Sequence, residues 1–152
     1  MFVLLRHLGR VRRDVALPRR SGGRSLAIRH VDAGSCNACE HELTATAAPR
    51  YDLQRFGIDI VASPRHADVL LVTGPVTTRM EAALRAAYEA MPEPRLVAAL
   101  GDCALGCGVL GEAAELAAPL DEMLPVDIRI PGCPPAPQAI ADAILATMPH
   151  LT

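Results

Sequence analysis

Runs of apolar residues alternate with amphipathic helical patterns along most of the chain. A continuous apolar run predicts a strand covered on both faces of its sheet, because such a strand needs no polar side. The predicted strands are Ser25–Val31, Ile58–Ala62, Asp68–Thr73, Leu96–Leu100 and Ile128–Ile130. The predicted helices are Cys36–Ala48, Thr77–Met91 and Ala136–Met148. This alternation predicts an α/β fold, a mostly parallel sheet with helices on both of its faces.

The segment Thr77–Met91 has the clearest helical pattern. Thr78 and Glu81 have the spacing of a capping box, and Glu81 precedes Arg85 by four residues, which favours an ion pair. One face of the segment is apolar and comprises Met80, Leu84, Ala87, Tyr88 and Met91. Pro92 follows, so we expect the helix to end there.

Charge is divided unevenly between a basic N-terminal segment and an acidic body. All fifteen basic residues are arginine; residues 1–29 contain eight of them and one acid, a net charge of +7, whereas residues 30–152 have a net charge of −9. We expect residues 1–25 to be an amphipathic or disordered basic segment that contacts a membrane surface or a partner. Residues 26–152 are long enough for one α/β domain. A single aromatic residue in the basic segment argues against nucleic-acid binding.

The chain has no apolar stretch of the roughly 20 residues that a membrane-spanning helix needs. Met1–Leu5 is too short for the apolar core of a signal peptide, and arginines follow it closely. The sequence therefore predicts a soluble or peripherally bound protein. The acid-poor, arginine-rich composition of the basic segment also resembles an organellar transit peptide, which stays open as an alternative.

Four of the five cysteines follow predicted strands. Cys36 and Cys39 form a C-x-x-C pair after the first strand, whereas Cys103 follows the fourth strand and Cys133 the fifth. Because ligands bind open α/β sheets beyond the carboxyl ends of the strands, we expect these three segments to meet at one edge. Four thiolates arranged in this way suit an iron–sulfur cluster or a structural zinc ion.

The spacing of the cysteines alone leaves several kinds of chemistry open. An odd number of cysteines without an export signal argues against a disulfide framework. The spacing is compatible with four alternatives: an iron–sulfur cluster, a zinc site, a redox dithiol or packed structural thiols. We expect Ser35 to cap the helix that follows, and the N-terminus of that helix to stabilise thiolate charge on the C-x-x-C pair. Cys107, four residues after Cys103, is predicted to be a small core residue that is not a ligand; the alternative is that it competes for the site.

Five segments, in order, resemble the 20 kDa subunit family of NADH–quinone oxidoreductase, complex I. They are D-A-G-S-C-N-A-C-E-H-E-L, S-P-R-H-A-D-V-L-L-V-T-G-P-V-T, Y-E-A-M-P-E-P-R, G-D-C-A and P-V-D-I-R-I-P-G-C-P-P. They are more similar still to the small subunits of membrane-bound nickel–iron hydrogenases such as formate hydrogenlyase. In the complex I branch the first two cysteines are adjacent, whereas here two residues separate Cys36 from Cys39, as in the hydrogenase form. The resemblance covers about Leu26 to Met148.

The resemblance implies a flavodoxin-like three-layer fold that holds one 4Fe-4S cluster. The ligands it implies are Cys36, Cys39, Cys103 and Cys133. It further implies a non-catalytic subunit that relays single electrons in a cytoplasmic complex on the inner face of the cell membrane. The implied partners are a hydrogenase-like or complex I-like large subunit, a ferredoxin-like iron–sulfur subunit and a membrane subunit. A zinc-bound or metal-free interaction module, and a dithiol oxidoreductase, remain alternatives.

The resemblance also implies roles for residues around the cluster. Glu42 aligns with an acidic position beside the cluster and is a candidate for proton transfer; the alternative is a solvated glutamate favoured by the helix dipole. Arg65 and His66 match a segment near the cluster, where a cation would stabilise the reduced state; the alternative is a surface loop. His30 and His41 are predicted to be solvent or interface histidines.

Overall fold

The structure is a computed structural model that describes residues 25–109 and 113–148. The basic segment predicted over residues 1–25 lies outside these residues, apart from Ser25. The strands in the described part are β1 (Leu26–Asp32), β2 (Ile58–Ile60), β3 (Val69–Thr73), β4 (Leu96–Leu100) and β5 (Ile128–Ile130). The helices there are α1 (Ala38–Ala45), α2 (Glu81–Glu89), α3 (Leu120–Met123) and α4 (Pro137–Thr147), with 3-10 turns at Leu53–Phe56 and Pro64–His66.

The strands form one parallel sheet in the order β2-β1-β3-β4-β5. This is the flavodoxin-like order, in which the chain first builds outward from β1 to β2 and then crosses back to β3. The register pairs Asp32 with Thr73, Thr73 with Leu100, and Leu100 with Ile130. The carboxyl ends of β1, β3, β4 and β5 are therefore level, and the loops that follow them leave the sheet at one edge.

Apolar side chains cover both faces of the sheet, and all five residues of β3 are buried. The core on one face joins the sheet to α2 and α3 through Leu70, Val72, Val97, Ala99, Leu84, Met91, Leu120 and Met123. The core on the other face joins it to α1 and α4 through Ile28, Val69, Leu71, Ala98, Leu100, Leu43, Ile140 and Ile144. The prediction of an α/β fold with helices on both faces is confirmed. No helix among the described residues is long and apolar enough to cross a membrane.

The beginning of α2 differs from the prediction. The helix begins at Glu81 rather than Thr77, and no side chain caps it. The hydroxyl of Thr77 instead donates to the carbonyl oxygen of Ala33 (2.9 Å). The amide of Thr78 donates to the carbonyl oxygen of Glu115 (2.9 Å). The capping-box prediction was wrong because the amide of Thr78 bonds to Glu115 and the amide of Glu81 bonds to the carbonyl oxygen of Thr77 (3.1 Å). The predicted Glu81–Arg85 ion pair is present at 3.3 Å.

Candidate metal centre

The four predicted ligand cysteines lie on three loops at the carboxyl edge of the sheet. Cys36 and Cys39 lie between β1 and the first turn of α1, Cys103 follows β4, and Cys133 follows β5. Cys36 and Cys133 are exposed, whereas Cys39 and Cys103 are half-buried. None of the cysteines, all of which fall in the described ranges, forms a disulfide. The structure thus brings to one edge the segments that the sequence placed there.

A carboxylate shapes the loop that carries Cys36. Asp32 Oδ1 accepts hydrogen bonds from the backbone amides of Gly34 (2.9 Å) and Ser35 (2.7 Å), which forms a turn of the Asx type. Burial alone would raise the pKa of Asp32, but these hydrogen bonds outweigh it and lower the pKa. Sequence reasoning missed this residue, although an aspartate just ahead of a glycine and a serine is a recognisable turn signal.

The start of α1 also differs from the prediction. Ser35 does not cap the helix; its hydroxyl accepts a hydrogen bond from the amide of Asn37 (3.0 Å) within the loop. Asn37 is the residue at the cap position, with a left-handed backbone (φ 69°) and no side-chain bond to the helix. Asparagine tolerates this conformation better than most residues, so the chain can turn sharply between Cys36 and Cys39.

Asp102 joins the loop of Cys103 to the loop of Cys133. Its Oδ1 accepts a hydrogen bond from the amide of Gly132 (2.7 Å), and its own amide donates to the carbonyl of Gly132 (2.9 Å). These two reciprocal bonds hold Asp102, which precedes Cys103, beside Gly132, which precedes Cys133. Sequence reasoning did not single out Asp102, because its partner lies thirty residues away in the chain.

Gly101 marks the point where all three loops meet. Its backbone is left-handed (φ +88°), a conformation that glycine adopts without steric cost. A Cβ placed on this residue would lie 2.5 Å from Cys39 Sγ and 3.4 Å from the carbonyl oxygen of Gly132. The absence of a side chain here lets the sulfur of Cys39 approach the loops that carry Cys103 and Cys133.

The charges of the other three proposed ligands act on Cys39. The pKa of Cys39 is raised to about 11, first of all by burial, since this residue packs against the core beneath α1 and α4. The further causes are the negative charges of Glu40, Cys103, Cys36 and Cys133. For Cys39, these effects oppose the thiolate that the helix N-terminus is expected to stabilise. This thiolate needs a positive charge nearby, which metal ions supply to coordinated sulfur.

The described residues contain no ready-made binding site for a single metal ion. Within residues 25–109 and 113–148, no group of three or more His, Cys, Asp or Glu side chains has the arrangement for one. A cavity of about 100 Å³ lies beside the site, but Cys103 alone of the four predicted ligands lines it. The rest of its lining is Pro75, Val76, Ala104, Gly106, Gly108, Leu116, Ala117, Ala118, Pro119 and Leu120. The other three proposed ligands thus lie outside the lining of this cavity.

Cys107 has a backbone partner of its own. Its amide donates to the carbonyl oxygen of Asp102 (3.0 Å), and its exposed Sγ lies 3.5 Å from the same oxygen. This contact stabilises the turn around Cys103. Because Cys107 is exposed, the prediction of a core residue was wrong. That it is not a ligand stays a prediction.

Glu42, the candidate for proton transfer, lies apart from Arg65 and His66, the candidates for stabilising the reduced cluster. Glu42 is half-buried on α1, three residues after Cys39. Arg65 and His66 are exposed in the 3-10 turn before β3, and neither side chain forms a hydrogen bond or ion pair with the residues that the structure describes. The loop around this turn lies beside the beginning of β1, because the amide of Asp68 donates to the carbonyl of Ala27. From there to the carboxyl end of β1 is roughly 16 Å at the usual rise per residue.

A half-buried polar network that sequence reasoning missed lies next to Cys39. The hydroxyl of Thr73 donates to Glu40 Oε1, and His30 Nε2 lies 2.9 Å from Thr73 Oγ1 and 3.7 Å from Glu40 Oε1. Thr73 is fully buried, and the side chains of His30 and Glu40 are 22% and 15% exposed. His30 is therefore hydrogen-bonded at the sheet edge rather than a solvent histidine. Burial lowers its pKa and outweighs the attraction of Glu40.

Sequence comparisons place the chain among subunits of redox complexes. The family described as "NADH ubiquinone oxidoreductase, 20 Kd subunit" matches residues 36–147. The "Probable membrane-bound hydrogenase subunit mbhJ" of Pyrococcus furiosus is 47% identical over 129 residues, which cover 85% of this chain and 77% of that protein. "Formate hydrogenlyase subunit 7" of Escherichia coli is 43% identical over 76% of this chain, which spans only 46% of the length of that subunit.

Solved structures share the fold. A subunit of the membrane-bound sulfane sulfur reductase, described as an archaeal respiratory membrane complex, has a TM-score of 0.72 and 37% identity, with 84% of this chain and 70% of that chain covered. A chain of an NAD⁺-reducing nickel–iron hydrogenase has a TM-score of 0.61 and 21% identity, with 77% and 87% covered. At that identity the second likeness concerns the fold alone.

Proposed function

This chain belongs to the 20 kDa subunit family of NADH ubiquinone oxidoreductase, and from that membership we propose that it is an electron-relay subunit holding one 4Fe-4S cluster. The proposed ligands are the four thiolates at the carboxyl edge of the sheet: Cys36, Cys39, Cys103 and Cys133. When bound, such a cluster accepts and releases single electrons at a potential that its surroundings set. The chain itself then needs no substrate-binding or bond-breaking residues.

The charge effect of the other three cysteines on Cys39, together with the close approach of the loops at Gly101, supports this proposal most directly. Cys36, Cys103 and Cys133 all act on the pKa of Cys39, so the four sulfurs share one electrostatic environment. Gly101 leaves room for Cys39 Sγ beside the other two loops. The donor set, four cysteine sulfurs without histidine, is the one that 4Fe-4S clusters use.

The raised pKa of Cys39 argues against this residue as the attacking thiol of a dithiol oxidoreductase; it does not bear on Cys36, which is exposed. The attacking cysteine of such enzymes has a lowered pKa, because the thiolate is the nucleophile. Here burial and neighbouring anions raise the pKa of Cys39 to about 11. A thiol of this kind is a poor nucleophile at neutral pH but a good metal ligand once a cation compensates its charge.

The partners we propose are a large subunit with the active site, a ferredoxin-like iron–sulfur subunit and a membrane subunit. The names of relatives from a membrane-bound hydrogenase and an archaeal respiratory membrane complex support such an assembly. Val109, 91% exposed, lies in the segment that follows Cys103 and offers a partner an apolar contact. We place the subunit on the cytoplasmic face of the membrane, bound through its partners.

We retain Glu42, Arg65 and His66 as proposed functional residues. Glu42 lies about one helical turn beyond Cys39 on α1, a position from which it could pass protons to a partner. Arg65 and His66 are exposed cationic or titratable residues without described partners, so their contribution would have to reach the cluster through a bound subunit.

Anaerobic purification of the chain with its co-expressed partners, followed by iron, sulfide and zinc analysis, tests the proposal. We expect about four irons and four sulfides per chain and a paramagnetic signal on one-electron reduction. One zinc ion per chain would instead favour an interaction module. A metal-free chain whose Cys36 and Cys39 form a titratable disulfide would favour a dithiol oxidoreductase.

A further inference from the structure

We propose that Glu40 is a buried charge that keeps the reduction potential of the cluster low, and that Thr73 and His30 position it. This inference rests on the proposed function, because it assigns a role toward the cluster. Glu40 directly follows Cys39, and the loop that brings it to the sheet edge also carries Cys36. It differs from Glu42, the carboxylate that sequence reasoning selected.

The burial of Glu40 calls for an explanation. An acidic residue in the first turn of a helix is favoured by the helix dipole even when solvent surrounds it. Glu40 is nevertheless 15% exposed, and its Oε2 is buried without a hydrogen-bond partner among the described residues. A buried carboxylate oxygen without a hydrogen-bond partner destabilises the folded chain more than a surface glutamate would. The fold therefore holds this charge inward at a cost to stability.

Two strands supply the groups that hold Glu40. Thr73 ends β3 and His30 lies on β1, so both come from the pair of strands where the order of the sheet reverses. The single hydroxyl proton of Thr73 is donated to Glu40 Oε1. His30 Nε2 must then be the donor in its 2.9 Å contact with Thr73 Oγ1. This chain of donors runs from the imidazole through the hydroxyl to the carboxylate and fixes its orientation.

Glu40 lies close to Cys39. The two residues are adjacent in the chain, and Thr73, the last residue of β3, holds the Glu40 carboxylate at the edge of the sheet that carries the four cysteines. A buried negative charge that opposes a thiolate also opposes an added electron on a cluster bound by that thiolate, because both place more negative charge at the same location. Since burial lowers the pKa of His30, a neutral imidazole is favoured there and does not cancel this charge.

Redox titration of the complex, followed by electron paramagnetic resonance, tests the inference. Glu40→Gln keeps the size of the side chain and removes its charge, so we expect full iron and sulfide content with a reduction potential shifted upward. Thr73→Val removes the hydroxyl with little change in shape and should shift the potential in the same direction by less. Thr73→Ser should restore the native value. Glu89→Gln on α2, an exposed glutamate away from the cysteine edge, is the matched control and should leave the potential unchanged.

The outcomes separate this inference from the proposed function. A native complex without iron and sulfide would overturn the proposed function. A fully loaded Glu40→Gln complex with the native potential would overturn the role of Glu40 and leave the cluster assignment intact. Loss of iron from Glu40→Gln would also overturn it, since Glu40 would then be needed for assembly of the site rather than for its potential.

Discussion

The carboxylate of Asp102 accepts a hydrogen bond of 2.7 Å from the amide of Gly132, and this bond joins the residue before Cys103 to the residue before Cys133. The two cysteines follow neighbouring strands, β4 and β5, whose ends are level in the sheet. Strand pairing brings the loops to the same edge, and Asp102 then fixes one against the other. The distance between these two sulfurs thus depends on a side chain that is not itself a proposed ligand.

Asp102→Ala should weaken both the fold and the site. It removes the acceptor of the Gly132 amide, and we expect a loss of about 1–3 kcal/mol in the free energy of unfolding together with lower iron content. Asp102→Asn keeps a carbonyl oxygen and should retain most of both properties. Denaturant unfolding and iron analysis measure the two effects; native iron content in Asp102→Ala would show that the loops hold their positions without this bond.

Gly101→Ala should prevent binding of the proposed cluster through a direct clash. The added methyl group would lie 2.5 Å from Cys39 Sγ, so the sulfur would have to leave its position. Gly106→Ala is a matched control, because Gly106 has a similar left-handed backbone (φ +77°) but its Cβ would meet only Pro119 Cβ, at 3.9 Å. Both variants should lose about 1–2 kcal/mol of stability from backbone strain, and only Gly101→Ala should lose iron. Equal iron content in the two would contradict the close approach of Cys39.

Cys133→Ala and Cys107→Ala should differ sharply in cluster content. Cys133 is a proposed ligand, whereas the sulfur of Cys107 contacts the carbonyl of Asp102. We expect Cys133→Ala to lose its iron and sulfide, and Cys107→Ala to keep them with a slightly less stable loop. Iron and sulfide analysis of the two complexes, purified side by side without oxygen, makes the comparison. The ligand assignment would be wrong if Cys107→Ala lost the cluster and Cys133→Ala kept it.

The stability of the apo chain should depend on His30 in mildly acidic solution. Burial lowers the pKa of His30, and the positive charge of Arg29 lowers it further. The negative charges of Glu40 and Asp32 raise this pKa, but burial outweighs them. The unfolded chain therefore binds a proton more readily than the folded one, and stability is lost as the pH falls below the ordinary histidine value of about 6.5. His30→Gln should reduce this loss, whereas His66→Gln, at an exposed position, should not. Unfolding curves recorded between neutral and acidic pH measure the difference.

Local sequence patterns predict the fold class and most of the elements. The run Leu96–Leu100 is predicted with the bounds that β4 has, because a proline lies just ahead of it and a glycine ends it. The predicted bounds of Ile128–Ile130 also match those of β5. Elements stabilised by partners far along the chain are harder to predict: α3 was missed, and the start of α2 was misplaced because Thr77 bonds to Ala33.

The sequence by itself determined an α/β sheet with cysteines just beyond the ends of its strands, since strand formation and turn chemistry depend on neighbouring residues. Tertiary structure decided how the four thiols relate: Gly101 admits the sulfur of Cys39, Asp102 ties two loops together, and burial with nearby anions raises the pKa of Cys39 to about 11. It also decided that Glu40 joins Thr73 and His30. The hydrogen bonds, the His30–Glu40 contact and the approach of Cys39 to Gly101 link residues ten to more than sixty positions apart, and only the order and register of the strands bring them together.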